Sequence, residues 1–462
     1  MSVKTTRSSP ALARLVNLRS ATALVVANII GAGVFTTTGF QAAALGHPGF
    51  IFMLWLVGGL LAWCGAMCYA ELGAMMPEAG AEYVYLRETF GKAIGFMSAF
   101  VSLVAGFSAA IAAALEALIS YLTAFYPVLN QPAQWFGFIG FNDILAISLV
   151  WVLIALHSRS IRLGFGFNDL ITLFKVVGIV VLIVAAFSSP QGDWGNFVIV
   201  GDVYRELSTV ERFSAFSVSL IFVMFCYTGW NAAAYIAGEM EHPQRNLPIA
   251  LLSGTAIVTL LYLGLNAVFF YGADVHEMSG VVEVGLVSAR QLFGQVGVSL
   301  TLVLLVVSLF ASASAMTIAG PRVYYALGRD HHLLSFLSKT RAGSSIPVNA
   351  LVLQGMVITI IILSARIDQI LQYAGFTLAL FSSLAVASVI VLRIRLPDAP
   401  RPFRVFAYPY TPILFLTISG WVMVWNLFGE YWLESLLALA TVVCGGLLFY
   451  IGEWHRAQPS NN

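Results

Sequence analysis

Apolar residues run along this chain in about twelve long stretches, near 20–46, 49–76, 93–124, 142–157, 164–187, 213–238, 247–272, 296–325, 347–364, 369–393, 409–429 and 432–452. Stretches of roughly 18 or more apolar residues predict helices that cross a bilayer. Two of them are interrupted near the middle by small residues. The first carries Asn28-Ile29-Ile30-Gly31-Ala32-Gly33-Val34-Phe35, and the sixth carries Phe225-Cys226-Tyr227-Thr228-Gly229-Trp230-Asn231. A helix broken inside lipid exposes N–H and C=O groups that are tolerated only where they line a protein cavity or hold a ligand. Breaks at matching positions in two halves of a chain mark a substrate site at the membrane midplane.

The expected fold class is therefore an all-α polytopic membrane protein of about 12 transmembrane helices, broken in helices 1 and 6. The polar connections around 188–212, 273–294, 326–346 and 394–408 are too short for independent cores, so residues 1–462 are read as a single transmembrane domain. Spans one to five (about 15–187) and six to ten (about 211–395) would form a 5+5 inverted repeat, with peripheral helices at about 409–452.

Composition agrees: 59% of residues are hydrophobic, 10% are charged and the mean hydropathy is +0.88. The segment Met1 to Leu18 has no apolar run followed by a cleavage site, so no signal peptide is expected. Placing that terminus inside puts 18 of the 23 Lys and Arg on the inner side and four outside. That asymmetry predicts two cytoplasmic termini in the inner membrane. The formal net charge of +1 gives no reason to expect nucleic acid. Cys64, Cys68, Cys226 and Cys444 all fall within spans and the seven histidines in loops or at span ends. No disulfide framework, metal site or cofactor is expected, and no catalytic constellation argues for an enzyme.

The breaks supply candidate chemistry. N–H groups of Ala32, Gly33 and Val34 open the second half of the first helix, where the helix dipole favours an anion such as a substrate carboxylate. Carbonyls of Asn28 and Ile29, and of Phe225 and Cys226, lose their helical partners and suit an ammonium group. Together they would recognise an α-amino acid through backbone alone.

The flanks carry a family resemblance. They read Tyr69-Ala70-Glu71-Leu72-Gly73, Pro77, Gly80, Glu82-Tyr83-Val84-Tyr85 and Phe90-Gly91, then Gly229-Trp230-Asn231 and the run Gly238 to Pro248, then Pro321 to Asp330. The chain resembles the amino acid–polyamine–organocation (APC) superfamily over roughly residues 15–395, and most closely its L-type amino acid transporter branch. The resemblance implies a LeuT-type fold, alternating access and a small-molecule amino acid substrate. It places the carboxylate site on Ala32 and Gly33, the amine site on Ile29 and Phe225, an aromatic gate on the Phe225 ring and a substrate contact on Asn231. Ala32 stands where the family often has Ser, and Thr228 where it has the first of two glycines. The extracellular cysteine by which animal L-type carriers attach a glycoprotein subunit is absent between Ala124 and Asp143, so no such disulfide-linked partner is expected.

Lys175 lies about 17 Å into its span at 1.5 Å per residue, and a mid-membrane lysine is expected to face the bundle interior. The run Asn168 to Lys175 resembles family members in which the ammonium takes the place of a sodium ion and braces the first span against the eighth. Sodium-independent transport follows. Hydroxyls of Ser308, Ser312, Ser314 and Thr317 keep a sodium site open as the alternative, and Glu116 is a second candidate for ion coupling. Side-chain pocket candidates, chosen by position, are Ser102, Gly106, Trp230, Ser312, Tyr373 and Phe376, from the third, sixth, eighth and tenth spans. Glu71, Glu239, Glu241 and Arg245 read as an ion-pair network or an inner gate, and Glu82 to Tyr85 as a segment along the inner membrane surface.

The expected function is a secondary transporter of neutral L-amino acids, working by proton-linked uptake or exchange as a monomer or homodimer in lipid. A cationic amino acid or polyamine carrier is the alternative, which Glu116 would support. A non-translocating sensor is the rival of another class, and no signalling tail follows Asn462 to support it.

Overall fold

The structure is a computed structural model that describes residues 14–31, 33–126, 140–281, 283–341, 346–364, 367–428 and 432–457. The first half holds α1 (Leu18–Ile29), α2 (Gly33–Leu45), α3 (Pro48–Met75), α4 (Glu82–Phe90), α5 (Lys92–Val101), α6 (Ala110–Phe125), α7 (Phe141–His157) and α8 (Ile161–Ser188). The second holds α9 (Asp202–Glu206), α10 (Thr209–Cys226), α11 (Ala232–Tyr235), α12 (Pro243–Gly272), α13 (Val275–Met278), α14 (Val284–Asp330), α15 (Val348–Ser364) and α16 (Ile367–Arg395). Two more, α17 (Tyr410–Phe428) and α18 (Trp432–Ala457), follow.

Among the described residues nine helical segments are long and apolar enough to cross a membrane. Three shorter apolar helices, Phe141–His157, Val348–Ser364 and Tyr410–Trp425, accompany them. These segments fall on the twelve apolar stretches of the sequence, and the protein is a multi-pass membrane protein. Local signals fix several starts. Asn17 caps α1 by accepting from Ser20 N–H at 3.0 Å, and Ser208 with Glu211 forms a capping box on α10. At Gly294 the backbone leaves helical geometry, with φ of 64°, so α14 is a short helix followed by the eighth apolar span.

Both expected breaks are present. α1 ends at Ile29, Ile30 is extended, and α2 starts at Gly33. α10 ends at Cys226, and the chain turns through Tyr227–Asn231 before α11. α12 packs against both α1 and α3, which sets its side chains beside the two breaks.

Three features differ from the sequence reading or lie beyond it. Residues Ser102–Ala109, within the third span, wind as a π-helix. α4 is covered by the rest of the protein along its first half. Glu82, Tyr83, Val84, Tyr85 and Leu86 are each at most 2% exposed, and the polar tips of Glu82 and Tyr83 find partners inside the bundle. The Tyr83 hydroxyl donates to Asp330 at 2.5 Å, and burial followed by that carboxylate holds this phenol well above its usual range. The strand-like segment before α1 also pairs with the chain beyond the second break, through Val16 N–H to the Glu239 carbonyl and Glu241 N–H to the Val16 carbonyl, both at 2.9 Å.

Candidate functional site

The two breaks touch. A Cβ at Gly33 would lie 2.4 Å from Cys226 Sγ, and one at Gly229 would lie 2.9 Å from Asn28 Cβ and 3.0 Å from its carbonyl carbon. Glycine is therefore required at Gly229 twice over, by that approach and by its φ of 97°. Replacing Gly229 with Ala is expected to cost about 1–3 kcal/mol in strain and to lower transport together with the melting temperature. Unchanged melting with wild-type transport would mean that the close approach of the two breaks carries no weight.

The free carbonyls are largely satisfied from within. Lys175, fully buried on α8, donates its ammonium to the carbonyls of Ala27 at 3.1 Å and Ile30 at 2.6 Å. Tyr262 on α12 is bonded to two carbonyls, Ile29 at 2.8 Å and Cys226 at 3.0 Å, one from each break. The Phe225 carbonyl accepts from Thr228 N–H at 2.9 Å and from the Thr228 hydroxyl at 2.7 Å. The expectation that Ile29, Phe225 and Cys226 carbonyls stand unpartnered is thus corrected: Ile29 and Cys226 share the Tyr262 hydroxyl and keep further acceptor capacity, while both lone pairs of the Phe225 carbonyl are taken by Thr228. No local pattern points to Tyr262, which lies 36 residues from one partner and 233 from the other.

Other candidates sort by what they face. Val34 is fully buried, and Ala32 lies outside the described residues. Cys226 Sγ contacts Thr37 Oγ1 at 3.2 Å. Ser312 Oγ is 3.9 Å from where a Cβ on Gly31 would sit, so it faces the first break. Asn231 uses its amide N–H groups on Glu82 Oε1 at 2.9 Å and on the Tyr235 hydroxyl at 3.1 Å. Glu116 is half-buried, and its Oε1 has no hydrogen-bond partner. Among the described residues Lys175 makes its hydrogen bonds to the first span, and none joins it to the eighth. Of the sodium candidates, Ser314 is bonded to His157 Nε2 at 2.9 Å and Thr317 to the Ala313 carbonyl at 2.7 Å, while the buried Ser308 hydroxyl has no partner.

A cavity opens on the other side of the second break. It offers about 60 Å³ to the centres of water-sized molecules, several times the roughly 10–15 Å³ that holds one water. Phe225, Thr228, Trp230, Phe376 and Ser382 line it, together with Phe415 from α17. The expected pocket from the third, sixth, eighth and tenth spans is met in the sixth and tenth only; α3 and α17 supply the other walls. Ser102, Gly106, Ser312 and Tyr373 do not line it. The Tyr373 hydroxyl instead bonds Thr441 on α18 at 2.7 Å. Ser102 and Gly106 belong to the π-helical turn, where the Ser102 carbonyl accepts from Tyr324 at 3.1 Å.

Of the expected inner-gate residues, Glu71 and Glu239 are in buried ion pairs. Glu71 meets Arg393 at 2.6 Å and Arg401 at 3.4 Å, and Glu239 meets Arg322 at 2.8 Å. For Glu241 the recorded contacts are backbone ones, to Val16 and to the Asn246 side chain.

Two comparisons bear on this arrangement. The amino acid permease family profile matches residues 16–444. The large neutral amino acids transporter small subunit 2 of Homo sapiens is 26% identical over 458 residues, covering 97% of this chain and 82% of that protein. The b(0,+)-type amino acid transporter 1 of Mus musculus is 27% identical over 450 residues (96% and 89%), and the serine/threonine exchanger SteT of Bacillus subtilis (strain 168) 28% over 438 (94% and 93%). With two broken helices in contact and a family match over nearly its whole length, the chain belongs to the amino acid permease family of the APC superfamily, in its L-type branch, and is an amino acid transporter.

Proposed function

We propose that this protein carries neutral L-amino acids across the cytoplasmic membrane by alternating access, without sodium, through proton-linked uptake or exchange. The observation that carries the reading is the Lys175 ammonium, buried on the Ala27 and Ile30 carbonyls. An ammonium at the first break would repel a second cation there, and it already occupies the Ala27 and Ile30 carbonyls that a sodium ion could use. The substrate carboxylate would sit on the N–H groups at Gly33 and Val34, and the ammonium on the Ile29 carbonyl, with the Phe225 carbonyl open to it where the Thr228 hydroxyl gives way. A largely apolar wall at the second break, with Phe225 as its gate, favours an uncharged side chain. In this reading the helices form a LeuT-type 5+5 inverted repeat with both termini cytoplasmic, and Lys175 serves as the brace in place of sodium. A cationic substrate is the second reading, favoured by the unpartnered Glu116 oxygen.

Uptake of a radiolabelled amino acid panel into proteoliposomes tests this, with sodium present or absent and with or without a proton gradient. Neutral amino acids are expected to enter at the same rate with and without sodium. Strict sodium dependence would move the ion site to Ser308 and Ser312, and selective uptake of lysine or a polyamine would favour the second reading.

A further inference from the structure

Glu82, at the start of α4, is 2% exposed, and its carboxyl group is surrounded by neutral donors from three other parts of the chain. The Tyr69 hydroxyl from α3 donates to Oε1, Asn231 Nδ2 donates at 2.9 Å, and Ser382 Oγ from α16 lies at 3.5 Å. The Tyr235 hydroxyl bonds the same carboxyl group. One side chain thus ties α3, α4, α16 and the stretch just past the second break.

Its setting differs from that of the other acids nearby. Glu71 has Arg393 and Arg401, Glu239 has Arg322, and Asp330 has Arg87. Among the described residues no cation acts on Glu82. The titratable groups around it are Tyr69 from α3, Tyr85 from α4 itself and Tyr235, with Tyr324 of α14 bearing on Tyr235. Burial pushes the Glu82 carboxyl above the usual carboxylate range, and the surrounding hydrogen bonds pull it part of the way back.

We propose that Glu82 is a proton-binding site that latches the segment past the second break while ionised and releases it when protonated. A carboxylate accepts from all four neighbours. A carboxylic acid is a weaker acceptor than a carboxylate, so protonation loosens the bonds that converge on Oε1. The proton arrives from water at the adjacent end of the bundle and returns there, with no other bond made or broken. Release frees the Asn231 amide, three residues past the turn at Thr228. This deepens the transport reading by giving proton linkage a residue separate from Lys175 and Glu116.

The test needs no substrate, so it stands apart from the identity of the cargo. Amide hydrogen exchange of residues 227–240 would be followed by mass spectrometry in nanodiscs from mildly alkaline to acid pH, with residues 48–60 as the internal reference. Wild type is expected to be more protected than Glu82→Gln at alkaline pH, and the two should converge as pH falls. Tyr69→Phe removes one donor from the carboxylate and should move the wild-type midpoint up by roughly one pH unit. That shift decides the matter even if the Gln variant does not fold. A difference between wild type and Gln that is the same at every pH would overturn the proposal, as would a midpoint unmoved in Tyr69→Phe.

Discussion

Replacing Lys175 with Met is expected to reduce amino acid exchange in proteoliposomes by at least about tenfold. The ammonium holds the carbonyls of Ala27 and Ile30 in a site closed to solvent. Met fills similar volume but donates nothing, and each buried carbonyl left unsatisfied costs about 1–3 kcal/mol. Two such costs exceed the 1.4 kcal/mol that corresponds to about a factor of ten. They fall on the broken stretch whose N–H groups are to hold the substrate carboxylate. Arg is not expected to rescue, because its planar fork needs more room than a fully buried lysine leaves. Wild-type exchange and an unchanged melting temperature in Lys175→Met would show that the first break holds its shape without the ammonium.

The second large effect is expected at Arg322. Its guanidinium makes paired hydrogen bonds to Glu239 at 2.8 and 3.1 Å and a third to the Ile318 carbonyl at 2.6 Å. Both side chains of the pair are at most 5% exposed. Arg322→Ala strands the Glu239 carboxylate, a change that costs about 3–5 kcal/mol. The double variant Arg322→Met with Glu239→Gln removes both charges and should recover much of that loss. Thermal unfolding in detergent distinguishes the two. If the single and double variants melted alike, the penalty would lie in lost packing around Arg322 and not in an uncompensated charge.

Much of the architecture was legible because lipid demands long apolar runs, and the ends of helices such as α3, α8 and α12 fall within a few residues of the apolar stretches. The breaks were legible through glycine: Gly229 has a positive φ that other residues rarely adopt. Lys175 was legible as a charge where hydropathy permits none. The side-chain pocket was not. Tyr373 and Phe376 lie three residues apart on the same side of α16, so counting along the sequence could not tell that Tyr373 bonds α18 while Phe376 faces the cavity. Nor could it find Tyr262 or the partners of Glu82, since hydrogen bonds across 36 to 300 residues leave no local pattern.

The π-helical turn at Ser102–Ala109 joins two α-helical halves, α5 and α6, in one membrane span. Removing one residue from that turn would let it wind back towards ordinary helix, with no change in any loop. Everything beyond it would keep close to its present rotational setting, because a π-helical turn takes up one extra residue locally. Glu116, seven residues past the turn, would stay on its present wall of the bundle. The same deletion in an α-helical part of the span has no such slack and would turn everything beyond it by about 100°, the angle between successive residues of an α-helix.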